Sequence, residues 1–379
     1  MIALALLAGV LLALHLATAT MALIRYRVTR RRPDMIGTPK VTLVRPVCGV
    51  DPFDALALGS SFLQDFPDYE VIFCAPIPDD PAVALVQRLI AAHPDVPARL
   101  LIGEAPGFRN PKLRNVSKGW KAAQTDWICV TDSNLLLPPD YLRILCASWG
   151  PRTALVSAPP VGVWPTGIAG RLECAFLNTN QARWQLAADS IGAGFAQGKT
   201  LFFNRALLDS VGGLKALDRH LAEDVNATKI VRALGRQVTL TPLPFPQPIG
   251  QRRLRQVWDR QVRWAQVRRE GFPGLYGAEL LNGGLVPISA AAGASLLGNG
   301  PMILPAAFAL LWYGAEFALA RGAGWSAGWR DVAVLALRDL LIPAIWTAAL
   351  LNRTVLWRGT RIQPSGHPGE APAARLDTI

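Results

Sequence analysis

The pattern of apolar and polar positions divides the chain into three unequal parts. Residues 2–24 are almost uninterrupted apolar, with His15 as their only ionisable side chain. About twenty such residues span a bilayer. Arg25, Arg27, Arg30, Arg31 and Arg32 follow at once. A cleaved signal peptide begins with its basic residues and ends in a small-residue cleavage site, so this pattern predicts a retained anchor. By the positive-inside rule the N-terminus lies outside and the next segment in the cytoplasm.

From Val41 to about Leu240 short β-branched runs alternate with helical ones. Strands are expected at Val41–Val44, Glu70–Cys74, Arg99–Ile102, Trp127–Val130 and Ala154–Ser157. Helices are expected at Asp54–Gln64, Pro81–Ala92, Lys112–Ala123, Pro139–Ser148 and Leu221–Leu234. Such alternation predicts an α/β domain whose mostly parallel sheet is covered on both faces, with ligands beyond the carboxyl ends of the strands. Residues 163–198 mix Trp164, Phe176, Trp184 and Phe195 with small residues. They suit either a surface-seeking segment facing lipid or an apolar acceptor, or an amphipathic core helix.

The third part is basic, then apolar. Gln251–Arg269 carries seven arginines, with Leu254, Trp258, Val262 and Ala265 at helical spacing. That suits an interfacial or phosphate-contacting helix, although a solvated basic face explains most of these arginines equally well. Leu280–Leu297, Met302–Ala320 and Val332–Leu351 are candidate spans, the first interrupted by Pro287 and glycines. Arg353, Arg358 and Arg361 assign the tail to the cytoplasm, which demands an even number of crossings after the domain. Either the first stretch is re-entrant or the rule fails here. The Pro/Gly-rich end is expected to be disordered.

Composition supports a membrane-associated chain: 51% of the 379 residues are hydrophobic and 17% charged. The formal net charge of +12 points to anionic partners, either phospholipid or phosphorylated substrates. The basic clusters adjoin apolar runs and no base-reading module is visible, which argues against nucleic acid. Cys48, Cys74, Cys129, Cys146 and Cys174 are odd in number and lack CxxC spacing. They read as free thiols in a reducing compartment.

Each candidate motif has a plain reading. Asp79-Asp80-Pro81 caps the following helix, or it holds a nucleoside at a strand end. Asn110-Pro111-Lys112, with Asn115, starts a helix, or it brings an ammonium to a nucleotide. Asp132-Ser-Asn134 is a turn, or it supplies oxygen ligands to Mg²⁺ or Mn²⁺ against a diphosphate. Glu223-Asp224 complements a helix N-terminus, or one of the two is a general base. His220 reads as a surface histidine.

The order of these motifs is more specific than any one of them. Acids follow two separate strands, an acid pair opens a helix, and Arg260-x-x-Arg263-Trp264 comes after. With Cys48-Gly-Val-Asp51-Pro52, Asp68-Tyr69-Glu70-Val71, Gly212-Gly213-Leu214 and Ala222-Glu223-Asp224, the chain resembles the ceramide glucosyltransferase family of membrane-anchored enzymes with the GT-A glycosyltransferase fold. That resemblance implies residues 1–32 as anchor and basic flank, 33–250 as the GT-A domain and 251–271 as a basic interfacial helix carrying the RxxRW motif. Residues 272–362 become membrane helices and 363–379 a disordered tail.

The resemblance also implies roles. Asp80, with Asp79, would face the uridine of a UDP-sugar, while Lys112, Asn115, Arg260 and Arg263 would serve the donor. Asp132, with Asn134, would hold the divalent cation and diphosphate. Asp224, beside Glu223, would deprotonate a ceramide hydroxyl and so invert the anomeric centre. Trp264, Gln181 and Arg183 would line the acceptor side.

Two departures from the family pattern stand out. Asn134 occupies the second position of the usual Asp-x-Asp, and Gln181-Ala182-Arg183 replaces the His-Pro-Arg of animal ceramide enzymes. The rival readings are transfer to a hopanoid or diacylglycerol, a processive polysaccharide synthase, and an inactive nucleotide- or lipid-binding scaffold.

Overall fold

A computed structural model describes residues 1–28, 36–352, 354–357 and 360–362. Arg30, Arg31, Arg32, Arg353 and Arg358, used above for orientation, and the tail 363–379 lie outside the described residues.

The expected strands form with small extensions: β1 (Val41–Pro46), β2 (Tyr69–Ala75), β3 (Ala98–Ile102), β4 (Trp127–Thr131) and β5 (Thr153–Ser157). Six more escape the sequence reading: β6 (Pro160–Thr166), β7 (Thr200–Asn204), β8 (Gln237–Leu240), β9 (Phe245–Gln251) and the antiparallel pair β10 (Val355–Trp357) and β11 (Thr360–Ile362). The prolines of β6 and β9 argue against strands in a central sheet. These two pair only with each other, as a separate parallel ribbon. The main sheet has the order β3-β2-β1-β4-β7-β5-β8, parallel except where β7 runs against β4 and β5.

The chain leaves β1 toward β2 and β3, then returns to lay β4 on the other side of β1. This reversal opens a crevice at the carboxyl ends of β1 and β4, where such sheets bind ligands. The pleat sends alternate residues to opposite faces. Val44, Ile72, Ile128 and Val130 pack with Leu113, Val116 and Trp120 of helix Pro111–Ala122. Leu43, Val71, Phe73 and Cys129 pack with Leu58, Val86, Tyr141 and Leu145 on the other face.

Helix starts follow the expected caps. Asp80 accepts from the Ala82 amide at 2.8 Å ahead of Pro81. Asn110 accepts from the Lys112 amide at 2.8 Å ahead of Pro111.

The stretch 163–198 is divided between its two readings: its middle is packed, whereas Trp164, Ile168 and Ile191 stay exposed. Helices Gly167–Ala175 and Arg183–Ser190 flank a π-helical stretch, Phe176–Ala182. Leu172, Phe176, Leu177 and Leu186 are buried there. Helix Leu254–Gly271 then joins the domain to the apolar helices.

Among the described residues, helices Ile2–Arg27, Ile303–Gly322 and Trp329–Leu351 are long and apolar enough to cross a membrane. Pro273–Leu281 and Leu285–Leu297 form a pair bent by 49°. The second of these has 13 residues, roughly 20 Å of helix against a hydrocarbon core of roughly 30 Å. Inside the bundle Arg338 meets Glu316 at 2.8 and 2.9 Å and donates to Thr179 of the π-helical stretch at 2.7 Å. Charges at this depth persist only when turned inward and paired. The cysteines are all free, four of them buried.

Helix Pro111–Ala122 lies unusually close to the sheet at Gly119. A Cβ there would sit 2.7 Å from Cys74 Sγ and 2.8 Å from Val44 Cγ1. Gly119→Ala should therefore cost about 1–3 kcal/mol by overpacking, read as a lower thermal midpoint of the solubilised protein.

Candidate active site

The crevice is shaped from beneath by a buried cation. Arg45 on β1 is wholly buried and donates through Nη2 to the carbonyls of Ala57, Ser133 and Leu135, each at 3.1 Å. It thereby holds the loop that follows β4. Tyr141 OH meets Thr131 Oγ1 at 2.7 Å and Thr200 Oγ1 at 3.1 Å, tying the end of β4 to the start of β7. Asp132 leaves the end of β4 on this platform, and Lys199 precedes β7 beside it.

Lys112 is the hub. Its ammonium lies 2.7 Å from Asp132 and 2.8 Å from Glu223, and it donates to the Gly198 carbonyl at 2.5 Å. Burial alone would lower its affinity for a proton, but the Asp132 and Glu223 carboxylates outweigh that and hold it charged. Lys199 bridges Asp132 at 3.0 Å and Asn134 Oδ1 at 2.9 Å. Burial would raise the Asp132 carboxyl, yet the two ammonium groups hold it well below the usual carboxylate range. The Asp132 side chain nevertheless keeps 28% of its surface accessible.

The acid pair divides its work. Glu223 is buried, with one oxygen on Lys112 and the other receiving Asn110 Nδ2 at 2.8 Å. Asp224 receives only backbone amides, from Gly198 at 2.9 Å and Val225 at 2.8 Å. Burial, and then the neighbouring Glu223 charge, push its carboxyl up to about 6, against the pull of the Gly198 amide and Lys112. A carboxylate with that affinity suits proton abstraction near neutral pH.

The other expected residues fall in several places. Asp80 lies at the carboxyl end of β2, the neighbour of β1 opposite β4, and receives the Gly49 amide at 2.9 and 3.0 Å besides capping its helix. Asp79 is exposed. Asn115 is turned to the backbone, donating to Cys74 at 2.7 Å and Val47 at 3.1 Å. It fixes the loop after β1 rather than opening onto the crevice.

Arg260 pairs with buried Glu173 at 2.7 Å and lies close enough to Lys199 to lower its proton affinity, after burial, which is the largest effect. Arg263 and Trp264 are half-buried one turn further along the same helix, with Trp264 against Leu177 and Ile249. Gln181 donates to Gln261 at 3.2 Å. Arg183 is buried against His15 of the N-terminal helix. His220 contacts Lys229 at 3.2 Å, and burial and then that ammonium lower its pKa.

Lys199, Gly198, Asp218 and Glu173 contact the candidate site residues and were passed over by the sequence reading. Asp218 receives the Arg109 and Asn110 amides at 2.8 and 2.9 Å and so shapes the turn before Lys112. Gly198 has no room for a side chain: a Cβ would lie 2.7 Å from Glu223 Oε1 and 3.5 Å from Asp224 Oδ2. No local signal marks these residues, because each becomes meaningful only through a partner distant in sequence.

A divalent cation would find Asp132 and Asn134, one carboxylate and one amide oxygen, both hard donors. Among the described residues no cluster of three His, Cys, Asp or Glu side chains forms a complete protein cage. Both Asp132 oxygens and Asn134 Oδ1 already meet the Lys112 or Lys199 ammonium, so an ion bound there would have to displace an ammonium group.

Comparison with known proteins is consistent with this geometry. The profile of glycosyl transferase family 21 matches residues 5–366. The chain is 25% identical over 355 residues to ceramide glucosyltransferase 1 of Caenorhabditis elegans, covering 89% of this chain and 76% of that protein. It is 38% identical over 99 residues to a ceramide glucosyltransferase of Komagataella phaffii, 25% of this chain and 19% of that one. Among solved structures, a mannosyltransferase from Pyrobaculum calidifontis in complex with GDP-Man and Mn²⁺ superposes with a TM-score of 0.51 at 20% identity, over 92% of this chain and 98% of that one. That likeness is one of fold, and it bears out the expected GT-A arrangement.

Removing the hub ammonium leaves buried Glu223 with only the Asn110 amide and Asp132 with only Lys199. Lys112→Met should lower stability by about 3–5 kcal/mol, the range for breaking a buried pair, read by thermal unfolding. Lys112→Arg should lose less than half of that.

Proposed function

Since the chain belongs to glycosyl transferase family 21 and is a glycosyltransferase, we propose that it moves a hexose, glucose in our reading, from a UDP-sugar to the primary hydroxyl of ceramide. The ceramide glucosyltransferases among its relatives support the acceptor and the sugar. One structural observation carries the mechanism. A carboxylate of raised proton affinity, Asp224, is lodged at the sheet's switch point beside the Lys112–Asp132–Lys199 charge cluster.

In this mechanism Asp224 takes the hydroxyl proton as the lipid oxygen attacks the anomeric carbon. The bond from that carbon to the UDP oxygen breaks on the opposite side, so an α-linked donor yields a β-glycoside in one inverting displacement. Negative charge grows on the leaving diphosphate, where Lys112 and Lys199 supply fixed positive charge in a site shielded from water. Glu223 keeps Lys112 in place and leaves Asp224 unencumbered. Asp80 and the Gly49 loop beyond β1 and β2 form the nucleoside side. A divalent cation held by Asp132 and Asn134 would neutralise diphosphate charge when bound.

The partition at residues 32, 250, 271 and 362 belongs to the same reading. Residues 33–250 bind donor, 251–271 couple the site to the bilayer, and the apolar helices on either side hold the domain on the cytoplasmic face. If the bent pair is re-entrant, helices Ile303–Gly322 and Trp329–Leu351 give two crossings after the domain, the even number that a cytoplasmic tail requires.

The test is a matrix of UDP-sugars against ceramide, diacylglycerol and a hopanoid, run on the purified full chain. Ceramide with UDP-glucose should give the highest kcat/KM, and Asp224→Asn should lower transfer by at least roughly a hundredfold while UDP still binds. Undiminished transfer by that variant would exclude Asp224 as the base.

The pH profile gives an independent check. The base works deprotonated, so kcat/KM should rise about tenfold per pH unit below its apparent pKa and level off above about 6. A flat profile between pH 4.5 and 7 would contradict the assignment.

A further inference from the structure

Where helix Leu254–Gly271 crosses the π-helical stretch Phe176–Ala182, two side-chain amides meet and only half satisfy each other. Gln181 Nε2 donates to Gln261 Oε1 at 3.2 Å, while Gln181 Oε1 and Gln261 Nε2 are buried without any hydrogen-bond partner. Gln261 is 2% exposed and Gln181 half-buried, so the pair lies just inside the surface. Exchanging the oxygen and nitrogen of both amides changes nothing: one acceptor and one donor always remain. Buried polar groups are nearly always paired, so this acceptor and donor, neither with a protein partner, are a matched set for a group that offers both.

The surroundings narrow what fills it. Gln261 follows Arg260, whose guanidinium lies near Lys199 in the charge cluster. On the other side Trp264 packs against Leu177 and Ile249, an apolar strip leading from the pair. Arg260–Glu173 and Arg338–Thr179 both hold the chain on the N-terminal side of Gln181. A π-helical turn held in this way is a common setting for a functional side chain.

We propose that the Gln181–Gln261 pair reads the amide linkage of a lipid acceptor, its N–H going to the free glutamine oxygen and its C=O to the free glutamine N–H. The chain beyond the amide then runs along Trp264. This deepens, and rests on, the lipid glycosyltransferase reading above. A secondary amide supplies one donor and one acceptor together. An ester supplies no donor, and it leaves a buried glutamine oxygen unpaired. Sites built to hydrogen-bond a substrate group discriminate strongly against analogues that lack it.

The experiment uses the full chain in lipid nanodiscs with two probes, a ceramide and its isostere with the amide N–H replaced by an ester oxygen. Binding is read by tryptophan fluorescence, and transfer is read with UDP-glucose. The wild type should favour the amide by roughly 10- to 100-fold in both Kd and kcat/KM. Gln181→Met and Gln261→Met should bring that ratio to near one while leaving UDP affinity unchanged.

Equal binding of amide and ester by the wild type, as expected if a trapped water fills the gap, would overturn the proposal even if neither variant folds. So would a preference retained in both folded variants. Tighter binding of the amide without transfer to any lipid would support the amide reader and remove the transferase reading instead.

Discussion

One ammonium group holds the site together. Lys112 stands between Asp132, at the end of a central strand, and Glu223, at the start of a helix, within 2.8 Å of both. Without it three carboxylates, Asp132, Glu223 and Asp224, would share a poorly solvated pocket and could not all remain ionised. Lys112 and Lys199 together commit Asp132 to its charged form. Glu223 is similarly engaged by Lys112 and Asn110. Asp224, whose oxygens receive only the Gly198 and Val225 amides, has its proton affinity raised by burial and then by the Glu223 charge. Neighbouring carboxyls driven apart in this way are suited to different tasks.

The second constraint is mechanical. The α/β domain and the apolar bundle must be joined rigidly for any site between a strand-end crevice and the helices to hold its geometry, since an error of about an ångström is costly. Helix Leu254–Gly271 makes that joint. At its start Arg260 reaches Glu173, and at its end Arg269 donates to the Leu350 carbonyl at 2.7 Å. That carbonyl belongs to the last turn of helix Trp329–Leu351, where a cation also complements the dipole. The arginine-rich stretch therefore serves partly as a set of named struts and only partly as a basic surface.

Much of the frame was legible in the sequence. Helix Pro81–Ala92 matches its expected bounds, and the expected strands of the parallel half are off by one or two residues. Proline and aspartate or asparagine at a helix start are local signals that the rest of the fold does not override. What was hidden depends on long-range pairing. β7 runs antiparallel inside the sheet, and nothing in Thr200–Asn204 announces that. β6 and β9 carry prolines that a central strand could not hold, and they exist only because each has the other. The candidate acids were visible as letters. Lys199, Gly198, Asp218 and Arg45 were not, because a lysine, a glycine, an aspartate and an arginine each have many ordinary uses. Asn115 was named from its place after the Asn110-Pro111 helix start and Arg183 from resemblance, and here they brace backbone and the N-terminal helix.

The replacement of the usual second aspartate by Asn134 follows from the same electrostatics. Lys199 contacts Asp132 and Asn134 together. A carboxylate at 134 would add a second negative charge on Lys199, which already pairs with Asp132. Like charges disfavour ionisation, so the two carboxylates would compete for that one ammonium. Asparagine keeps an oxygen for Lys199 or a cation without adding that charge. The cost is weaker attraction for a metal ion, which the fixed ammonium groups already beside the diphosphate site partly offset. Asn134 and Lys199 therefore go together: the amide oxygen accepts from the ammonium and leaves its charge to Asp132.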